Sequence, residues 1–308
     1  GAVKAYVGGI DYDHFKYDMV MGGRRQVGST IKPFLYALAM QNGMTPCTTV
    51  LNVQRSYGNW TPRNGSKARY GQQVPLRWGL QQSNNWISAY LISLLGPSQF
   101  VSILHDFGLN NPDIDKNTSP VLCLGPSELS VGEMCSAYTT FVNRGVRCAP
   151  LFVTRIEDSH GNIVAKFQPL MNEVISEESS YKMLDMLQAV VQGGTGGRLR
   201  YHYNLTGEIG GKTGTTNKNS DGWFMGFTPQ LVNGCWVGGE DRDIHFDVTA
   251  MGQGATMALP IWAYYMQMVY ADKSLHYSPK AKFDIPAHFD PCHSTESISV
   301  NGIQEVYF

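Results

Sequence analysis

Apolar positions along the chain fall into blocks whose spacing predicts helices through the middle and strands at both ends. Residues 2–8 are rich in Val, Tyr and Ala and stop at Gly8-Gly9, which predicts a strand. Residues 31–41 predict a helix closed by Asn42-Gly43. Residues 46–73 are rich in Gly, Asn, Ser, Arg and Pro, an irregular stretch. Over residues 84–95, Trp86, Ile87, Tyr90, Leu91, Leu94 and Leu95 make the stripe of a buried helix face. Gly96-Pro97 ends that helix and starts another, through Phe107. Ser130 and Glu133 have capping-box spacing ahead of Met134, Ala137, Tyr138, Phe141 and Val142, with Gly145 as the stop. Residues 152–167 predict a hairpin around Ser159-His160-Gly161-Asn162, and Ser176 caps a helix running to about Val191.

After Gly193 the pattern changes. Residues 208–216, 222–228 and 231–239 are short β-type runs joined by tight polar turns, which predicts an antiparallel meander. A last amphipathic helix spans residues 256–270, and an extended stretch with three prolines follows from Asp272. The expected fold is α/β, of the α+β kind. Residues 2–8 join the C-terminal strands in one central antiparallel sheet, helices cover its faces, and a mostly helical lobe sits at one end. The cleft between sheet and lobe is the natural site.

The bulk numbers narrow the chemistry. With 43% hydrophobic and 16% charged residues in 308, the chain can bury a sizeable core. A net charge of -1 gives no electrostatic footprint for nucleic acid. No apolar run reaches the ~18 residues of a membrane span, and no signal peptide is visible. The chain opens directly on GAVKAYVGG, so it is expected to be a fragment lacking an upstream part. The six cysteines include no C-x-x-C pair and are expected to be buried free thiols; a disulfide stays open, with no partners assigned. There is no H-E-x-x-H, and Cys292-His293 is read as a coincidence. No metal or cofactor is expected.

Chemistry concentrates in QVGSTIKPFLY, residues 26–36. Pro33 has no N–H, so the Ser29 carbonyl cannot receive the usual helical bond from four residues on, and the regular helix begins around Ser29. That puts the hydroxyl and N–H of Ser29 at a helix start, where negative charge is favoured. Lys32 follows at i+3 on the same face, within reach of the hydroxyl. In a dry cleft its pKa falls and it can act as a base toward a serine nucleophile. A bare S-x-x-K recurs by composition, and Ser179-Ser180-Tyr181-Lys182 is a second copy, read as a solvated face in the first turn of a capped helix.

Two more stretches raise the specificity. In QQSNNW, Ser83 and Asn85 precede the apolar helix, where helix capping alone would account for them. GGKTGTTN, from Gly210 to Asn217, suggests a phosphate loop, but Thr206 stands where that loop needs glycine and a strand follows. As a strand it makes sense differently. Gly214 lets a ligand backbone approach, Thr213 and Thr215 offer hydroxyls, Lys212 offers a cation for a carboxylate, and an edge strand can pair with an extended peptide.

S-x-x-K, then S-x-N, then K-T-G, in this order, is the set found in class A β-lactamases and penicillin-binding proteins. The chain resembles the transpeptidase domain of bifunctional (class A) penicillin-binding proteins, with Val27 where proline is commoner. WTPRN, GLQQSNNWIS, ELSVGEMCSAYTTFVNRGVRCAP, the GTG at 194–196, GKTGTTNKNSDGWFMGFTP and LVNGCWVGG also resemble family segments. The likeness covers residues 1–271, implying a transpeptidase domain there and an extended tail over 272–308.

The resemblance implies Ser29 as acyl-accepting nucleophile and Lys32 as its general base. It implies Ser83 as proton shuttle, Asn85 as holder of the donor peptide's amide, and Lys212 as a partner of Ser83. Thr213 and Thr215 would bind the terminal carboxylate, and the backbone N–H groups of Ser29 and Thr215 would form the oxyanion hole. The implied donor is the D-Ala-D-Ala end of a peptidoglycan stem peptide, the acceptor a neighbouring stem's amine, and β-lactams would acylate Ser29. A location on the periplasmic face of the bacterial inner membrane is implied, along with an upstream glycosyltransferase domain and membrane anchor; no glycan polymerisation is expected of these residues. Three readings stay beside it: a serine β-lactamase, disfavoured because no E-x-x-L-N string is present and Glu128 and Glu133 read as structural; a D,D-carboxypeptidase; and a β-lactam sensor without turnover.

Overall fold

In the computed structural model, which describes residues 1–116 and 118–293, the three C-terminal β-runs form an antiparallel sheet. Its order places strand Asp221–Phe227 in the middle, Val232–Gly238 on one side and Gly210–Thr215 on the other. The Lys212 strand is therefore an edge of the sheet. Register pairs Trp223 with Gly214 and with Trp236.

The middle strand shows how sequence builds the layers. Side chains alternate along a strand. Trp223, Met225 and Phe227 point into the main core with the helical lobe. Phe224 points the other way, into a second cluster with Leu259 and Trp262 of helix Gly254–Ala271. Gly226 shares that second face, and a Cβ there would come within 2.7 Å of Trp262 Nε1, so glycine lets the helix lie close. The sheet is thus sandwiched between this helix and the lobe built from helices Lys32–Gln41, Asn85–Leu95, Pro97–Asp106, Val131–Val142 and Glu177–Gly193. Phe34, Phe107, Tyr138 and Phe141, all fully buried, lock the lobe with ring contacts of 4.7–5.8 Å.

Several local expectations hold. Both halves of the Ser130/Glu133 capping box form, and Ser176 caps helix Glu177–Gly193. Strands Arg155–Glu157 and Ile163–Lys166 make the expected hairpin. Glu133 also pairs with Arg24, a structural use of both its oxygens. No single helix among the described residues is long and apolar enough to cross a membrane.

Three expectations are corrected. Residues 2–8 form no strand and do not join the C-terminal sheet; Ala2 makes only an isolated parallel bridge with Leu151. Of residues 2–8, only Val3 and Gly8 are even partly covered, so the β-propensity of this segment is not backed by a buried face. The second S-x-x-K is not a solvated face either: Ser179 and Lys182 are 3% and 2% exposed. There Lys182 is neutralised by Glu178 at 2.6 Å, one helical turn away. Finally, Cys47 and Cys292, expected as free thiols, form a disulfide with Cα atoms 5.2 Å apart. It fastens the stretch after Asp272 to the loop before strand Thr49–Leu51. Phe283 and Phe289 of the same stretch pack on Phe227 and Tyr181.

Candidate active site

Ser29 sits in a 3-10 turn, Gly28–Ile31, that leads into helix Lys32–Gln41. The cause is Pro33. It cannot donate to the Ser29 carbonyl, and the Lys32 N–H donates there instead, closing a tighter turn. Ser29 is half-buried and lies in this turn, where the Gly28 N–H donates to the Gly125 carbonyl at 3.0 Å and the Thr30 N–H to the Val27 carbonyl at 3.3 Å. Gly28 has φ +55°, and a Cβ there would come 2.7 Å from the Thr215 carbonyl oxygen. The nucleophile turn therefore rests against the edge strand with no space between. Thr30 anchors it from behind, with its carbonyl accepting from Tyr138 Oη at 2.7 Å.

Ser83 has φ +53°, a left-handed conformation that a non-glycine residue holds only when its surroundings over-determine it. The surroundings do so. Asn84 caps helix Asn85–Leu95 by accepting from the Ile87 N–H, and donates to Asn52 Oδ1 at 3.0 Å in a fully buried pair. Asn85 N–H donates to Asn64 Oδ1 at 2.9 Å, and Asn85 Nδ2 donates to the Arg63 carbonyl at 2.7 Å. Capping is real here, but Asn84 performs it, which leaves Ser83 and Asn85 facing the cluster.

Lys32, Ser83, Asn85 and Lys212 form one hydrogen-bonded unit. Lys32 Nζ lies 2.6 Å from Asn85 Oδ1, 2.7 Å from the Ser83 carbonyl and 3.2 Å from Ser83 Oγ. Lys212 Nζ donates to Ser83 Oγ at 2.8 Å and to the Thr213 carbonyl at 3.1 Å. No hydrogen bond of Ser29 Oγ appears among the described residues. Thr213 Oγ1 donates to Thr195 Oγ1 at 2.7 Å, and Thr215 Oγ1 accepts from the Gly254 N–H at 3.0 Å. Gly214 packs on the nucleophile turn, where a Cβ would meet the Val27 carbonyl oxygen at 2.7 Å. Lys32, Ser83, Asn85 and Lys212 are thus brought into contact from three separate stretches of chain, whereas the expected contact of Lys32 with the Ser29 hydroxyl does not appear as a hydrogen bond among the described residues.

Both lysines are fully buried, and burial disfavours their charged form. It pulls Lys32 from its ordinary 10.5 down to about 7. Lys212 is lowered well below its ordinary value, by burial first and then by the nearby Lys32 charge. The adjacent Cys123 thiol is pushed up to about 12 by its own burial, so near neutral pH it supplies no counter-anion. A neutral Lys32 amine has two N–H donors and one lone pair.

Three residues outside the designated set also shape the site. Asn64 and Thr195 lie in the WTPRN and GTG stretches, whose likeness to the family was the only signal for them. Asp221 lies in the GKTGTTNKNSDGWFMGFTP stretch and had the same signal only, since its partners Arg25 and Trp236 are distant in sequence.

Comparison with known proteins shows the family and the fold. The family model "Penicillin binding protein transpeptidase domain" matches residues 1–238. Penicillin-binding protein 1A of Aquifex aeolicus is 33% identical over 294 residues, covering 93% of this chain and 38% of its own length. The chain thus spans well under half of that relative. A crystal structure of penicillin-binding protein 1A from Haemophilus influenzae superposes with a TM-score of 0.79 at 29% identity, over 91% of this chain and 47% of that one. A D,D-transpeptidase domain of a peptidoglycan glycosyltransferase from Eggerthella lenta shares the fold, with a TM-score of 0.66 at 21% identity over 83% of this chain and 70% of its own. Matched over most of its length, the chain belongs to the penicillin binding protein transpeptidase domain family.

Proposed function

We propose that this chain is a serine D-Ala-D-Ala transpeptidase unit that cross-links peptidoglycan stem peptides through a Ser29 acyl-enzyme. The observation that carries the reading is the Ser83 hydroxyl held between the amines of Lys32 and Lys212. Such a bridge gives a path for one proton between two buried amines beside the nucleophile turn.

In this reading Ser29 Oγ attacks the carbonyl carbon between the two D-alanines and its proton passes to neutral Lys32. The developing oxyanion accepts from the N–H groups of Ser29 and Thr215, a role supported by the close packing of the neighbouring Gly28 on Thr215. The C–N bond breaks as Ser83 delivers a proton to the leaving nitrogen, and Ser83 recovers one from the lysines. Free D-Ala departs. Thr213 and Thr215, with Lys212 behind them, bind the substrate's terminal carboxylate. Asn85 orients the donor amide, and the edge strand Gly210–Thr215 pairs with its backbone, Gly214 itself being packed on the nucleophile turn. An acceptor amine then attacks the ester, forming the cross-link amide and returning the proton to Ser29. β-Lactams enter by the same first step and leave a slowly hydrolysed ester.

Residues 1–271 are read as the transpeptidase unit and 272–308 as its C-terminal extension. A location outside the cytoplasm, at the periplasmic face of the inner membrane, is part of the proposal. The Cys47–Cys292 disulfide supports it, since such bonds persist in oxidising compartments. The test uses a thioester analogue of the D-Ala-terminated donor with an added amine acceptor. Transfer to the amine, lost in Ser29→Ala, supports transpeptidation. Hydrolysis alone would assign a carboxypeptidase, and unchanged turnover in Ser29→Ala would overturn the reading.

A further inference from the structure

Asp221, the first residue of the middle strand, is fully buried, and four side chains converge on its carboxylate. Arg25 Nε donates to Oδ1 at 2.8 Å and Trp236 Nε1 donates to Oδ1 at 3.1 Å. Thr216 Oγ1 donates to Oδ2 at 2.9 Å, and Arg242 lies 3.8 Å from Oδ2. Arg25 is itself 8% exposed, stacks over the Trp236 ring and donates to the Gly239 carbonyl at 2.8 Å. None of these residues reaches the lysine–serine cluster through a hydrogen bond.

Their positions along the chain give them a purpose. Arg25 enters the nucleophile turn just ahead of Gly28 and Ser29, and Thr216 directly follows Thr215 on the edge strand. The Asp221 carboxylate therefore ties the chain that delivers the Ser29 N–H to the chain that delivers the Thr215 N–H. A second tie runs parallel to it, as Trp223 Nε1 donates to the Gln26 carbonyl at 2.8 Å. A buried ion pair adds little net stability over packed apolar side chains of the same volume. What it fixes well is direction and distance, because each bond has its own geometry. Oxyanion donors are effective only when their spacing is set before reaction.

We propose that Asp221 and Arg25 are positioning residues that set the spacing of the two oxyanion donors, with Thr216 transmitting the setting to Thr215. This rests on the reading of Ser29 and Thr215 given above. The pair touches neither substrate nor reacting atoms. Disturbing it changes the acylation step while leaving the binding surface of Lys212, Thr213 and Asn85 in place.

The test measures penicillin acylation by rapid kinetics, separating the dissociation constant of the initial complex from the acylation rate constant, alongside thermal melting. In Asp221→Asn the acylation rate constant is expected to fall ~10–100-fold, below the full loss of an oxyanion donor, with initial binding unchanged within about twofold. Deacylation should slow in step, because it uses the same donors. Thr216→Val leaves the Arg25–Asp221 pair intact and removes only the link to the edge strand, so it remains informative if Asp221→Asn folds poorly; a smaller fall in the same constant is expected. Folded variants that acylate at the wild-type rate constant, or lose only initial binding, would overturn the inference. Failure of the underlying reading would show separately, as a wild-type protein carrying no adduct on Ser29.

Discussion

Lys212 Nζ stands 2.8 Å from Ser83 Oγ across 129 residues of sequence. The contact joins the edge of the sheet to the helical lobe, directly behind the turn that carries Ser29. It adds a polar link to two layers that already share the main core, and it predicts that small changes in either layer register in the acylation chemistry.

Lys32→Arg should abolish acylation. Arginine stays protonated and cannot take the Ser29 proton. A loss of at least ~10²-fold in the rate of penicilloyl adduct formation is expected, on the scale of general-base catalysis. Retained acylation would remove Lys32 from the base role.

The acylation rate should depend on pH through Lys32. Burial brings its pKa to about 7, so the amine is a base above that pH and is silenced by one proton below it. The rate is expected to fall on the acid side with a midpoint near 7. Stability carries the same sign in another form. Between about 7 and 10.5 the unfolded chain holds a proton on Lys32 that the folded chain lacks, so this group's contribution to stability rises with pH. Urea unfolding of wild type and Lys32→Met at about pH 7 and about pH 9 should show a larger rise in the wild type, the lowered pKa of Lys212 acting in the same direction in both.

Gly28→Ala should damage fold and function together. The position has positive φ, and the added methyl would meet the Thr215 carbonyl oxygen at 2.7 Å. About 1–2 kcal/mol comes from the left-handed backbone alone, and the clash adds to it. Thermal melting is expected to drop by several degrees, and acylation should slow more than initial penicillin binding weakens.

Cys292→Ser should affect stability alone. Its bond to Cys47 closes a loop spanning most of the chain, and losing such a bond costs about 2–5 kcal/mol. Acylation at temperatures where the variant is folded should match wild type, and thiol labelling should show Cys47 newly reactive.

Much of this site could be read from sequence, because its chemistry sits in short local strings. Pro33 foretold an interruption ahead of the helix, although the regular helix starts at Lys32 and not around Ser29, which lies in a 3-10 turn; the Ser130/Glu133 box foretold another start, since both effects act within one turn. The alternation at Trp223, Phe224 and Met225 likewise needs only the pleat. What sequence could not supply depended on distant partners. Residues 2–8 have the composition of a strand but no buried face to reward pairing. Lys182 looked solvated because its burial is imposed by packing of the lobe. The Cys47–Cys292 and Arg25–Asp221 pairs join positions that no local pattern connects.

The most direct test of the central claim is the intact mass of the protein after exposure to penicillin, with peptide mapping of the modified residue. A single, long-lived penicilloyl adduct on Ser29, absent in Ser29→Ala, is expected. Rapid turnover without a lasting adduct, or labelling at any other residue, would contradict it.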